Sequence, residues 1–130
     1  GEIRLIRSIE AEEAWLKGDA GLLERALTNL LENAIRYSPA GSSVELSLQI
    51  REGKAECRIQ DQGEGIRVED QQRIFDPFQR AQDSNSHHKG GTGLGLSFVM
   101  VVAEKHQGSI SVASQPGQGA SFCLSLPLDP

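Results

Sequence analysis

Two stretches in which apolar and polar residues alternate, 44–50 and 55–59, constrain the fold of this chain more than any other feature of its sequence. Alternation with a period of two is the pattern of a strand that buries one face. Glu52 and Gly53 lie between the two stretches and suit a tight turn. The pattern therefore predicts a β-hairpin whose apolar face needs a second layer of structure to cover it.

Two longer stretches with helical periodicity can provide that second layer. The first covers residues 22–35, follows a favourable N-cap residue at Asp19, and ends at a turn over residues 38–41. The second runs from about Gly93 to Lys105 and is apolar on most sides, which is typical of a buried helix.

The remaining pattern completes one layer of strands. We predict an α/β (α+β) two-layer sandwich, in which a mixed, mostly antiparallel sheet of about five strands carries helices on one face. A short helix is expected over residues 68–74, and the polar stretch 79–91 is expected to be a mobile loop. Further strand-like stretches cover residues 3–9, 14–17, 109–114 and 120–126.

The composition fits a single soluble domain spanning residues 1–130, with 38% hydrophobic and 24% charged residues. The formal net charge is -5 and the acids and bases are interspersed, so no basic stripe is available for a nucleic acid. No apolar stretch approaches the roughly 20 residues of a membrane span, so we expect a cytoplasmic fragment without membrane contact. A longer parent protein anchored in the inner membrane is compatible with this expectation. Cys57 and Cys123 are expected to be buried, reduced thiols, and a disulfide between them stays open.

Polar side chains follow one edge of the first helix. Asn29, Asn33, Arg36 and Tyr37 lie at helical spacing between the core-facing and the solvent-facing arcs. An asparagine carbonyl is a hard, neutral oxygen that suits Mg²⁺, and a neighbouring arginine can neutralise phosphate. The helix by itself leaves open whether this edge binds a ligand or carries two tolerated surface amides. The predicted core-facing arc comprises Leu23, Leu27, Leu30, Leu31 and Ala34.

Two glycine-rich segments flank the central part of the chain. Residues 61–66 directly follow a predicted strand, where glycines let the backbone pass close to a flat ligand and Asp61 can accept from an exocyclic amine. The same segment is also simply a good turn. Residues 91–96 open the second helix, where free N–H groups and the helix dipole suit a triphosphate. Leu94 and Leu96 are expected to pack that helix onto the sheet.

Four segments in a fixed order resemble the motifs of sensor histidine kinases. Residues 29–39 resemble the N box, residues 61–66 the first glycine box, residues 75–78 the F box and residues 91–96 the second glycine box. The similarity extends over about residues 3–127. It implies the Bergerat ATP-binding fold, which these kinases share with type II topoisomerases, Hsp90 and MutL.

The resemblance implies ATP and Mg²⁺ as cofactors. It implies Asn33 as the metal ligand, Asp61 as the acceptor of the adenine amino group, and Lys89 as the lid residue that reaches the γ-phosphate. Phe75 and Phe78 would anchor the base of the lid, although ordinary core packing explains them equally well. The implied catalytic residues are Asn29, Asn33, Arg36 and Lys89. The implied nucleotide-binding residues are Asn29, Asn33, Arg36, Tyr37, Asp61, Gly63, Gly65, Ile66, Phe75, Phe78, Lys89, Gly91, Thr92, Gly93, Leu94, Gly95 and Leu96.

The function that the resemblance implies is binding of ATP-Mg and donation of its γ-phosphoryl group to a histidine on a separate dimerisation domain. Relatives that hydrolyse ATP carry a glutamate base where this chain has Asn29, which favours phosphoryl transfer over hydrolysis. The expected partners are that dimerisation domain and a downstream response regulator, while the isolated fragment is expected to be a monomer. An anti-sigma-type serine kinase and a non-catalytic nucleotide-binding module of the same fold stay as alternatives.

Single positions add three expectations. His87 and His88 lie in the lid on a stretch without helical pattern; either could touch phosphate, but we interpret them as solvated lid residues. The phosphoacceptor motif of such kinases, a histidine followed by an acidic residue on a helix, does not occur in the sequence. His106 lies at a helix end, where interaction with the helix dipole accounts for it. The family often has Gly-Thr where this chain has Gly119 and Ala120, so a hydroxyl near the adenine is either missing or displaced to Ser121.

Overall fold

The computed structural model describes residues 4–9 by their backbone, and residues 18–71, 73–75, 95–114 and 117–128 with their side chains. Its elements in chain order are β1 (Arg4–Ile9), α1 (Ala20–Tyr37), β2 (Ser43–Arg51), β3 (Lys54–Gln60), a 3₁₀ turn (Val68–Asp70), α2 (Gly95–Lys105), β4 (Ser109–Ser114) and β5 (Ala120–Pro127).

Among the described residues, five strands form one sheet in the order β1-β2-β3-β5-β4. The pair β1 and β2 is parallel, and the other three pairs are antiparallel. The predicted hairpin is confirmed, with Leu46 opposite Ile59 and Arg51 opposite Lys54 at the turn. A mixed, mostly antiparallel sheet is therefore confirmed as well.

The first helix begins where its sequence predicts an N-cap. The Asp19 carboxylate accepts a hydrogen bond from the Leu22 backbone N–H at 3.1 Å, and the helix begins at Ala20. At the other end the Ser38 hydroxyl donates to the Ala34 carbonyl at 2.7 Å, and its extended backbone stops the helix. The helix is therefore slightly longer at both ends than its apolar periodicity predicts.

Both helices pack on one face of the sheet and share its core. From α1 the core takes Leu30 and Ala34, as predicted, and also Ala26, which the apolar pattern missed. The leucines of the predicted arc at 23, 27 and 31 are only half-buried around this centre. The main apolar residues supplied by the other elements are Val44, Ile59, Leu96, Val99, Val102, Ala103, Ile110, Phe122, Leu124 and Leu126.

One further predicted element differs in the structure, and three fall outside the described residues. The expected helix over residues 68–74 is a three-residue 3₁₀ turn followed by further turns, because most of its backbone hydrogen bonds join residues three apart. The expected strand 14–17, the lid 79–91, and the start of the second helix before Gly95 lie outside the described residues. Within the described part of the chain, no helix combines the length and the apolar character that crossing a membrane requires.

The two cysteines are free thiols on opposite faces of the sheet. Cys57 on β3 is opposite Leu124 on β5, on the helix-covered face. Cys123 directly precedes Leu124 on β5 and is opposite Arg58, so it lies on the other face. Both are half-buried rather than fully buried. Burial raises the pKa of the Cys57 thiol to about 11.

Candidate functional site

Two predicted glycine segments meet the polar edge of α1. Near the middle of the helix, the Asn29 side-chain amide donates to the Gly95 carbonyl at 3.2 Å. At its end, the Tyr37 carbonyl lies against the backbone of Gly63. The sheet order and the packing of α2 thus bring together segments that are far apart in the sequence.

Asp61 is a buried carboxylate held by backbone groups. Its side chain is 4% exposed, and its Oδ1 accepts from the Gly63 N–H at 2.9 Å and from the Ala120 N–H at 3.1 Å. The Asp61 N–H donates in turn to the Ala120 carbonyl at 2.9 Å. No hydrogen bond joins Oδ2 to another described residue, so this oxygen can accept from a ligand.

Burial of Asp61 disfavours the ionised form of its carboxyl. Burial raises the pKa of its carboxyl above the ordinary value of 3.8, and the N–H groups of Gly63 and Ala120 offset part of that shift. A buried acceptor of this kind stabilises a ligand that donates a hydrogen bond and penalises one that offers a carbonyl.

The glycines of the loop 61–66 are required by neighbouring protein atoms. A β-carbon on Gly63 would lie closer than 3.0 Å to the Tyr37 carbonyl oxygen. Gly65 has a φ of 83°, in the region that side chains rarely adopt. A β-carbon on Gly119, which precedes β5, would likewise overlap the Asp61 carbonyl. These glycines therefore let the loop pack tightly between α1 and β5.

Asn33 is the most buried polar side chain of the α1 edge, with 8% exposure. No other described residue hydrogen-bonds to its amide, so its carbonyl oxygen is available. Asn29 and Tyr37 are half-buried and Arg36 is exposed, so the edge runs from the core to solvent. The described residues hold no cluster of three or more histidine, cysteine, aspartate or glutamate side chains that would chelate a metal. A cation here would have Asn33 as its protein ligand and would take other oxygens from the nucleotide and water.

The remaining predicted site residues fall into three groups. Phe75 makes an edge-to-face contact with Phe122, with ring centroids 6.2 Å apart, and Leu96 is 4% exposed, so both pack in or against the core. Gly95 begins α2 beside Asn29, and Ile66 ends the loop. The others lie outside the described residues: Phe78, Lys89, Gly91, Thr92, Gly93 and Leu94.

Ser121 does not replace the hydroxyl that the family often has next to the adenine. Its partner on β3 is Gln60, so its side chain lies on the sheet face opposite to the helices. The residue beside Asp61 on the helix-covered face is Ala120, which has only a methyl group. Of the two alternatives from the sequence, the structure supports the missing hydroxyl.

Two side chains around the site were not identified from the sequence, and the close packing of Gly119 was not either. Ser114 and Gln71 hydrogen-bond to the end of the loop 61–66, and Gly119 makes room for Asp61. The contacts of Ser114 and Gly119 depend on which strands are neighbours in the sheet, and local patterns do not reveal this. Gln71, in contrast, lies only five residues from Ile66, but its side chain carries no motif that would single it out.

Residues 18–130 match the model of the family described as histidine kinase-, DNA gyrase B- and HSP90-like ATPases. The chain belongs to this family.

Within the family, the chain is similar to sensor kinases. The chain is 49% identical over 110 residues to the sensor-like histidine kinase SenX3 of Mycolicibacterium smegmatis, covering 85% of this chain and 29% of SenX3. The solved structure of the mycobacterial sensor histidine kinase MprB has a TM-score of 0.79 at 35% identity, covering 98% of this chain and 83% of that one. ShkA, solved at full length in complex with AMPPNP, has a TM-score of 0.82 at 27% identity, covering 97% of this chain and 26% of ShkA. The resemblance to histidine kinase catalytic domains is confirmed, and the chain spans less than a third of SenX3.

Proposed function

We propose that this chain binds ATP with Mg²⁺ and donates the γ-phosphoryl group to a histidine on a separate dimerisation domain of a sensor kinase. The observation that carries the proposal is the buried Asp61 carboxylate, which is fixed by β5 and keeps Oδ2 available. The likeness to SenX3, a sensor-like histidine kinase, and to ShkA, solved with AMPPNP, supports the same activity.

Asp61 would select adenine. An ionised carboxylate can only accept hydrogen bonds, so it matches the amino group of adenine. Guanine presents a carbonyl oxygen at the corresponding position, which would face a buried negative charge. Because Ala120 offers no hydroxyl, Asp61 carries more of this recognition than it would beside a threonine.

The phosphate end would lie along the polar edge of α1. Asn33 would hold Mg²⁺ through its amide oxygen, and the exposed Arg36 guanidinium is free to approach phosphate oxygens. Bound Mg²⁺ supplies charge neutralisation between the phosphates during transfer. Asn29 holds the first residue of α2 through the Gly95 carbonyl, and thereby positions the start of that helix.

The chemistry of the Asn29 side chain favours phosphoryl transfer over hydrolysis of ATP. Its side chain is an amide that already donates to Gly95, and it cannot take a proton from water as a carboxylate does. The acceptor histidine would come from the dimerisation domain of the parent kinase, with a response regulator as the next partner. In the cell the domain would face the cytoplasm, whether or not the parent kinase is anchored in the membrane.

A reconstituted transfer reaction tests the proposal. The chain is mixed with the dimerisation domain of its parent kinase and radiolabelled ATP-Mg, and the product is tested for acid-labile phosphohistidine. The chain alone is the control and should not become labelled. Acid-stable phosphoserine on a partner protein would favour the serine kinase alternative, and nucleotide binding without any transfer would favour a non-catalytic module. Failure of AMPPNP-Mg to bind would overturn the proposal entirely.

A further inference from the structure

The end of the loop 61–66 is anchored on both sides of one residue. The Ser114 hydroxyl accepts a hydrogen bond from the Ile66 N–H at 2.7 Å. The Gln71 side-chain amide donates to the Ile66 carbonyl at 2.9 Å. The backbone donor and acceptor of Ile66 are therefore both bound by side chains from other segments.

The same two side chains connect this loop to the turn before β5. The Ser114 hydroxyl donates to the Gly119 carbonyl at 2.7 Å, and Gln71 also donates to the Ser114 carbonyl at 3.0 Å. The loop and this turn are linked a second time by the Gly117 N–H, which donates to the Glu64 carbonyl at 2.6 Å. Gly119 in turn packs against the Asp61 carbonyl.

We propose that Ser114 and Gln71 are positioning residues that hold the loop 61–66 in its nucleotide-binding shape. The inference rests on the proposed function, because it assigns a role towards the nucleotide at the same site. Neither side chain needs to touch the nucleotide. Ser114 bonds to Ile66 at one end of the loop and to Gly119 beside Asp61 at the other, so it fixes the distance between the two ends.

The position of Ser114 at the edge of the domain distinguishes a role in loop positioning from a role in the stability of the whole fold. Ser114 is the last residue of the edge strand β4 and is only half-buried, and its contacts are to loop backbone. The fully buried centre of the domain, around Leu30, Ile59 and Phe122, makes no use of its hydroxyl. Loss of the hydroxyl should therefore loosen the loop while the sheet and helices stay folded.

Binding measurements on matched variants test the inference. Ser114→Ala removes the hydroxyl, Ser114→Thr keeps one, and Ser111→Ala is a control at an exposed position of the same strand. By calorimetry, Ser114→Ala should bind ADP and AMPPNP about tenfold more weakly. A loss of this size corresponds to the free energy of about one hydrogen bond that no longer orders the loop. The two losses should be equal, because the loop meets the base and not the phosphates. Ser114→Thr and Ser111→Ala should bind nearly like the wild type, with similar unfolding midpoints for all variants.

Three outcomes would overturn the inference while leaving the proposed function standing. The first is unchanged affinity of Ser114→Ala, and the second is a loss of affinity for AMPPNP alone. The third is a loss of affinity that is fully explained by the fraction of Ser114→Ala molecules that is unfolded. Absence of binding by the wild type would overturn both. If Ser114→Ala does not fold, Gln71→Met serves instead, since it removes only the side-chain donor; faster hydrogen exchange at the Ile66 amide should accompany its weaker binding.

Discussion

The imidazole ring of His106 accepts a hydrogen bond from the backbone N–H of Asp19, with 3.0 Å between Nε2 and the amide nitrogen. Its other ring nitrogen, Nδ1, lies 2.8 Å from the Val102 carbonyl oxygen, which only accepts. In this geometry Nε2 is the acceptor and Nδ1 is the donor. This contact joins the end of α2 to the N-cap of α1 across 87 residues of sequence. The sequence alone accounted for His106 by the helix dipole, and the structure adds this contact between the two helices.

Replacing His106 by Phe should destabilise the domain by about 1–3 kcal/mol, because the Asp19 N–H and the Val102 carbonyl each lose a partner. Urea unfolding followed by circular dichroism measures the change. Glu104→Ala, at an exposed position of the same helix, is the control and should stay within about 0.5 kcal/mol of the wild type. Equal stability of the two variants would show that the contact contributes nothing.

Asp61→Asn should separate binding from stability. The pKa of Asp61 is raised by burial, so its contribution to stability is full below about pH 3.8 and is lost as the pH rises through the higher folded value. The variant has no such titration, and relative to wild type it should gain stability between acidic and neutral pH. At neutral pH it should still bind ATP at least about tenfold more weakly, because the amide can present a donor to the adenine amino group. Unfolding curves at several pH values measure the stability, and a displacement assay with ATP and GTP measures the binding. If GTP displaced a bound nucleotide from the wild type as well as ATP does, the role of Asp61 would be contradicted.

Asn33→Ala should remove most of the Mg²⁺ dependence of nucleotide binding. The Asn33 amide has no hydrogen-bond partner among the described residues, so its loss should leave the fold largely intact. Calorimetric titration of AMPPNP with and without Mg²⁺ measures the effect, with Glu32→Ala as an exposed control on the preceding position. A Mg²⁺ effect of the same size in Asn33→Ala and wild type would exclude Asn33 as the metal ligand.

Gly63→Ala should destabilise the domain by more than about 2 kcal/mol, since its β-carbon would overlap the Tyr37 carbonyl and neither backbone segment can move freely. Gly21→Ala is an instructive comparison, because an added β-carbon in the first turn of α1 makes only ordinary contact, at 3.4 Å from Asp19. That change should stabilise the helix by up to about 1 kcal/mol. Thermal unfolding that shifts in the same direction for both variants would argue against the collision.

Cys57 should be a poor nucleophile in the folded domain. Burial raises the pKa of its thiol from 9.0 to about 11, so the thiolate fraction at pH 8 is about a hundredfold lower than for an ordinary cysteine. Alkylation with iodoacetamide, followed by mass spectrometry, should modify Cys57 slowly in native buffer and rapidly in urea. Fast modification without denaturant would show that the thiol is not buried as described.

Local patterns in the sequence determined the elements and several of their ends. The alternation of residues 44–50 and 55–59 defined the hairpin and its buried face, and Asp19 marked the start of α1, because strand pleat and helix capping depend on neighbouring residues. The motif order identified the family for the same reason, since each segment is short and continuous. Ala26 escaped the prediction because a small side chain adds little to an apolar pattern.

The tertiary structure alone decided which distant groups meet. The bond from Ser114 to Ile66 exists because the strand order β1-β2-β3-β5-β4 brings the end of β4 close to the loop that follows β3. The hydrogen bond from the Asp19 N–H to His106 exists because the end of α2 lies beside the N-cap of α1. Such contacts join residues tens of positions apart, and no periodicity along the chain encodes them.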